Sequence, residues 1–440
     1  MLYQTHEIQR AGLKACFGMA TVSLRFQSSL MRAFNMASLA NELDAVAEIT
    51  HRISKDYPKP SFGLNSAFVH EEVILDKPFG SLLHFRRDTT RNDPKILLVA
   101  PMSGHYATLL RSLVRDLLPH HDVYITDWKS ARDVPSAHGD FSLEDYTAYL
   151  HDFMTALGPD VHVTGISQST VPVLTVTALM ASQKSAVQPA SITLMCGPID
   201  TRVAPTSIGQ FAKEKPLDWF RKNVIATVPQ AYPGAGRSVY PGFMQLLGLK
   251  LNDMERHTRA ITDLYNHVRN DNQVEADKIR SHYDEYDAMM DSSASFYLDT
   301  IEQVFQTHTL ARGVMTWRDQ VVDPSAITKT ALLTIEGEKD SICGLGQTMA
   351  AHRLCSNLPT KMRFAHVEPG AGHYDVIDAR RITGFVRDVA KQAGMTYDQI
   401  PDCAALPPQY AQETAIRIQG GNNDNTGARI IHIPPKPNTA

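Results

Sequence analysis

A chain of 440 residues with 43% apolar content can form one large core, or a core that carries a sizeable inserted subdomain. Its 43 basic residues nearly balance 47 acidic ones, with no long run of either sign, so nucleic acid and other polyanions are excluded as expected partners. The five cysteines (Cys16, Cys196, Cys343, Cys355, Cys403) are odd in number, widely spread and without CxxC or metal-ligand spacing, which fits a reducing, cytoplasmic setting.

Residues 1–60 read as an N-terminal helical segment closed by Pro58 and Pro60. Within it, Cys16–Leu24 resembles the apolar part of a signal peptide. Its flanks lack a clear small-residue cleavage site, so the segment is taken as an ordinary helix. No stretch reaches the ~18 apolar residues that a transmembrane helix needs. Residues 61–200 form the first part of an α/β core. It starts with a hairpin, Glu72–Leu75 and Ser81–Phe85 around the turn Lys77–Gly80. Buried parallel strands are expected at Ile96–Ala100, Val123–Thr126, Val161–Thr164 and Ile192–Met195, separated by segments long enough for helical crossovers.

Over residues 201–320 the strand signal lapses and helical period takes over, as with Tyr297, Ile301, Val304 and Phe305 on one face. An inserted helical cap accounts for this. The core resumes at 321–400 with strands at Leu332–Ile335 and Arg363–Val367, making eight in all. Residues 401–440, rich in Pro, Asn, Gly and Gln, are expected to be a flexible tail.

The strongest local motif is the strand Val161–Thr164 running into Gly165-Ile-Ser167-Gln-Ser169 and then a helix. It resembles the nucleophile elbow G-x-S-x-G, with Ser169 at the last glycine's position. The sharp strand-to-helix turn demands small residues two before and two after the nucleophile. Ser167 is thereby the candidate nucleophile, raised above the sheet edge at a helix N-terminus, where the Gln168 amide faces a developing oxyanion. Asp340 follows on the loop after the strand Leu332–Ile335, and His373 on the glycine-rich loop after Arg363–Val367. Serine, acid, histidine is the chain order of the α/β-hydrolase fold, with an eight-stranded, mostly parallel sheet flanked by helices. Glu336 and Glu338 compete with Asp340 as the acid, and His366 with His373 as the base, although His366 falls inside a strand. The loop Pro101–Tyr106 would supply a second oxyanion donor from Met102 or Ser103, with Gly104 permitting a tight turn. Aromatic residues of the cap, Trp219, Phe220, Tyr232, Tyr240, Phe243, Tyr283, Tyr286, Phe296 and Tyr297, could line an acyl groove. More often such residues are core, and one or two at most would touch substrate.

With these segments in hand, the chain resembles intracellular poly(3-hydroxybutyrate) depolymerases of the polyhydroxyalkanoate-degrading family. The matching stretches are Ala100–Tyr106, Val123–Trp128 with Ala131–Pro135, Gly139–Tyr146, the elbow with Thr170–Leu174, Phe296–Thr300 and Gly370–Tyr374. The resemblance implies hydrolysis of polyester bonds through a 3-hydroxyacyl-enzyme, with the triad on Ser167, Asp340 and His373. It implies no metal or organic cofactor, a polyhydroxyalkanoate granule surface or 3-hydroxybutyrate oligomers as partner, and a cytoplasmic, granule-associated location. Well-known members carry cysteine at the nucleophile position, whereas this chain carries serine, which leans wholly on its histidine for activation. Other readings are an esterase or thioesterase on soluble esters, an acyltransferase resembling polyhydroxyalkanoate synthases, whose preference for cysteine Ser167 opposes, and a non-catalytic granule-associated protein.

Overall fold

The computed structural model describes residues 2–398 and 429–430. The N-terminal segment is a helical hairpin of α1 (Leu2–Ala33) and α2 (Ala37–Ser54). Asn35 makes the reversal with φ of 59°, a left-handed conformation that asparagine tolerates. Small residues let the two helices approach: Ser28 Oγ donates to the Ala40 carbonyl at 3.1 Å, and the Thr21 and Thr50 hydroxyls meet at 2.9 Å. On α1, Ile8, Met19, Val22 and Phe26 are exposed. Their spacing puts them along one side of the helix. Among the described residues no helix is long and apolar enough to cross a membrane.

The central sheet comprises β1 (Val69–Lys77), β2 (Gly80–Arg87), β3 (Lys95–Val99), β4 (Asp122–Trp128), β5 (His162–Ile166), β6 (Ser191–Met195), β7 (Ala331–Gly337), β8 (Arg363–Glu368) and β9 (Arg429–Ile430). Their spatial order is β1-β2-β4-β3-β5-β6-β7-β8-β9. β1 and β2 pair antiparallel, as do β2 and β4, and the remaining neighbours are parallel. All eight strands expected from sequence are present. β9 is an addition at the edge beside β8. It lies in the segment expected to be a flexible tail, the rest of which is outside the described residues.

Ile96 to Val99 are fully buried, the unbroken apolar run of a parallel strand covered on both faces. The covering helices of the core are α3 (Arg111–Leu117), α4 (Leu143–Leu157) and α5 (Thr170–Ser182). α4 starts with a capping box, Ser142 accepting from the Asp145 amide and Asp145 from the Ser142 amide. α5 is buried on every side from Thr170 to Met180, as expected of a helix hydrophobic all round.

Between β6 and β7 the chain leaves the sheet for α6 (Ser207–Glu214), α7 (Leu217–Asn223), α8 (Gly242–Asn252), α9 (Met254–Arg269), α10 (Gln273–Tyr286) and α11 (Ala294–Asp299). Three short strands, Ala226–Thr227, Ser238–Tyr240 and Ser292–Ser293, pair within this insertion. At two or three residues each they are too short to show a period in sequence. The final helix, α12 (Ala379–Ala393), packs back on the core, with Ile382, Phe385 and Val386 buried.

The strand order reverses at β3. The chain passes from β3 to β4 on one side and returns to β5 on the other, so the loops leaving β3 and β5 diverge and open a crevice at their C-terminal ends.

Candidate active site

The turn after β5 is built around a strained residue. Ser167 has φ of 55°, a left-handed backbone that costs a side-chain-bearing residue about 1–3 kcal/mol and persists only where the surroundings enforce it. The helix lies close: a Cβ on Gly165 would sit 3.2 Å from the Thr170 Cα and 3.1 Å from Val173 Cγ2. Ser169, standing where the second glycine usually stands, is fully buried. Its hydroxyl accepts from the Ile166 amide at 2.7 Å and donates to the Val99 carbonyl at 2.7 Å, with the Ile166 carbonyl at 2.9 Å. The serine therefore ties the turn to β3, a bond that glycine could not supply.

Asp340 and His373 come from loops after β7 and β8, and those loops are joined. The Glu338 amide donates to the Glu368 carbonyl at 3.0 Å, the Lys339 amide to Ala371 at 2.9 Å, and the Gly370 amide to the Glu338 carboxylate at 2.7 Å. The result is a continuous chain of contacts. Ser167 Oγ lies 3.0 Å from His373 Nε2, and His373 Nδ1 lies 2.7 Å from Asp340 Oδ2. The other carboxylate oxygen, Oδ1, accepts from the Ile342 and Cys343 amides at 2.8 and 2.9 Å. Burial by itself would raise the Asp340 pKa. The hydrogen bond and charge of His373, then the two amides, outweigh it and hold the carboxyl below its ordinary value.

The competing residues are placed elsewhere. Glu336 is buried and accepts from the amides of Gly346, Thr348 and Met349, at 2.9, 2.7 and 3.0 Å, which makes it a support for the following turn. His366 is buried within β8, 3.3 Å from Glu368. Glu338 holds the histidine loop.

Gly337 is where the two loops press together, since a Cβ there would lie 2.6 Å from the Ala371 carbonyl oxygen and 2.9 Å from that of Gly372. Gly337→Ala is expected to displace the His373 loop and lower kcat by about 100-fold, the order lost when a reacting group shifts by roughly 1 Å. Steady-state kinetics with a soluble ester, beside a thermal melt, would separate this from unfolding.

The loop Pro101–Tyr106 is clamped at its base. The Ala100 carbonyl accepts from Trp128 Nε1 at 2.8 Å and from the Tyr146 hydroxyl at 2.9 Å, and the Ala100 amide donates to Thr126 Oγ1 at 3.0 Å. Farther out the insertion grips it: Ser292 Oγ donates to the Met102 carbonyl at 3.1 Å, and the Met290 amide to Gly104 at 2.7 Å. Gly104 has φ of 103°, and a side chain there would collide with Met289. The Met102 and Ser103 amides donate to no acceptor among the described residues. The Gln168 amide stands at the start of the helical turn Ser167–Ser169, where no intrahelical carbonyl precedes it.

A narrow cavity with about 40 Å³ of free space meets Ser167, His373 and Ser103, walled by Leu109, Leu110, Met195, Val376 and Ile377. None of the nine cap aromatics named from sequence lines it. Phe220, Trp219 and Tyr297 cluster inside the insertion instead, and Phe296 stacks on Tyr146. Two residues that face the site were not anticipated. Cys196 directly follows β6, and its Sγ lies within 4.8 Å of ligand atoms of both Asp340 and His373. Burial, then the Asp340 charge, push its thiol well above the ordinary value, so it stands beside the acid as a neutral S–H. His105 lies inside the loop Pro101–Tyr106, but its position relative to Ser167 depends on how that loop folds over β3.

Residues 196–393 match the family model described as PHB de-polymerase C-terminus. Among curated proteins none matches the chain. Solved structures similar to it include a putative lipase from Acinetobacter baumannii AYE (14% identity, 77% of this chain and 99% of that one, TM-score 0.43). Others are an alpha/beta fold family hydrolase from Bacillus anthracis str. Sterne (12%, 73% and 100%, TM-score 0.38) and a thermophilic esterase from Thermogutta terrifontis (15%, 73% and 99%, TM-score 0.38).

The sheet order and the strained elbow at its switch point define an α/β-hydrolase, and the protein is an ester hydrolase. Over residues 196–393 it is similar to the poly(3-hydroxybutyrate) depolymerase family.

Proposed function

We propose that the protein is a polyhydroxyalkanoate depolymerase that cleaves poly(3-hydroxybutyrate) by a serine triad. The observation that carries this reading is the contact chain from Ser167 through His373 to Asp340, at 3.0 and 2.7 Å. The family of residues 196–393 supports the polyester as substrate. Ser167 Oγ attacks the ester carbonyl of a 3-hydroxyalkanoate unit while His373 Nε2 takes its proton, and Asp340 accepts from Nδ1–H and stabilises the imidazolium. The oxyanion is received by the Gln168 amide and by Met102 or Ser103. On collapse the C–O bond to the next unit breaks and His373 returns the proton to the departing hydroxyl. Water then attacks the 3-hydroxyacyl-serine, with His373 again the base, and frees the acid.

Purified protein is expected to release 3-hydroxybutyrate from amorphous polymer granules. If granules stay intact while short p-nitrophenyl esters are turned over, the esterase reading replaces this one. Acyltransferase activity would appear as polymer growth from 3-hydroxyacyl thioesters. A cytoplasmic protein working on granules also needs a contact with an insoluble apolar surface, and the exposed side of α1 supports that role: Ile8, Met19, Val22 and Phe26 are 73%, 70%, 70% and 65% exposed. The double substitution Val22→Asp with Phe26→Asp is expected to lower the granule-bound fraction about tenfold or more, since each lost apolar side chain forfeits about 1.5–3 kcal/mol of burial. Sedimentation with granules measures this, and turnover of a soluble ester by the same variant should match the wild type.

A further inference from the structure

The loop after β3 brings a second histidine to the catalytic cavity. His105 is 4% exposed and lines the same space as Ser167 and His373. Its backbone bridges to Met289, and its ring packs on that of Tyr286 with centroids 4.8 Å apart. The imidazole donates to the Tyr286 backbone carbonyl, while Nε2 is buried and meets no polar partner. In the neutral tautomer protonated at Nδ1, Nε2 presents a lone pair. Burial, opposed by the Tyr286 carbonyl and assisted by His282, pushes the ring down to about 4, so it is neutral at physiological pH.

A buried acceptor without a donor is unfavourable and calls for an explanation. Of the other polar side chains that line the cavity, Ser167 is engaged with His373 and His373 with Asp340, while Ser103, Tyr106 and Tyr374 stand on the same wall. The wall around Leu109, Leu110, Met195, Val376 and Ile377 is apolar, and the small free space leaves little room beyond a short alkyl group. A ligand that suits these features has a small acyl chain bearing one hydroxyl donor close to its carbonyl.

We propose that His105 Nε2 accepts a hydrogen bond from the free 3-hydroxyl of the acyl unit under attack, making the site selective for 3-hydroxyacyl over plain acyl groups. The proposal rests on the depolymerase reading of the same site and adds a direction to it. In a polyester chain the interior hydroxyl oxygens are esterified and have no proton to donate. Only the unit at the hydroxyl end does, so the enzyme works from that end and releases monomer.

The test compares p-nitrophenyl 3-hydroxybutyrate, p-nitrophenyl butyrate and the O-acetylated 3-hydroxybutyrate ester, which share a leaving group. Wild type should favour the free hydroxyl ester in kcat/KM by about tenfold or more over both others, because a site made to pair a hydroxyl discriminates against analogues lacking it. In His105→Leu that ratio should collapse towards one, and His105→Gln, whose amide oxygen can accept, should restore part of it. Equal turnover of the three esters by wild type, or a preference that survives in His105→Leu, would overturn the proposal. Poor folding of the variants leaves the wild-type comparison decisive. Failure of the depolymerase reading looks different: polymer granules stay intact while the soluble esters are turned over, whatever the ratio between them.

Discussion

Ser167→Ala is expected to reduce kcat on polymer granules and on soluble esters by about 10⁵- to 10⁶-fold, the scale seen when the nucleophile of a serine triad is removed. The argument is local. Ser167 Oγ is the hydroxyl within reach of His373 Nε2, at 3.0 Å, and the positive φ that carries it there is imposed by Gly165 and by the Ser169 bond to Val99. Alanine keeps that backbone and loses one hydrogen bond, so the melting temperature should stay near the wild-type value. Fluorophosphonate labelling should vanish with the activity. Residual turnover above about 1% would sink the assignment and turn attention to Cys196, the other nucleophilic atom near His373. Against that alternative, burial and the Asp340 carboxylate hold its thiol protonated.

Asp340→Asn should cost about 10⁴-fold in kcat without unfolding the protein. The two backbone amides that donate to Oδ1 decide how the new side chain lies. Only the carbonyl oxygen of asparagine can accept from Ile342 and Cys343, so the NH₂ must face His373 Nδ1, where a carboxylate oxygen lay 2.7 Å away. Donor then meets donor. His373 is driven to the tautomer protonated on Nε2, which has no lone pair for the Ser167 proton. Kinetics and a thermal melt of this variant check the claim. A variant with near wild-type kcat would show that the imidazole is oriented by some other group.

How far the site was legible depends on the range of the physics involved. Gly165 and Ser169 flank Ser167 because of contacts within one tight turn, and such sterics are written in consecutive residues. Which acid serves was open among Glu336, Glu338 and Asp340. Only folding shows that Glu336 is consumed by the amides at 346–349 and Glu338 by Gly370. The cap aromatics misled for a similar reason. An amphipathic helix announces that a face is buried, not against what, and here most of those rings bury against one another.

The succession of strands and crossovers along the chain, the elbow, and the chain order of serine, acid and histidine are all legible in the residues alone. Each follows from hydrophobic period or from a short-range steric demand. The tertiary structure decided which side chains meet, through the parallel pairing of β5, β6, β7 and β8 that carries three distant loops to one sheet edge. It also decided that His105 and Cys196 lie at the site. Their neighbours there come from segments far apart in the chain, and local pattern holds no information about such meetings.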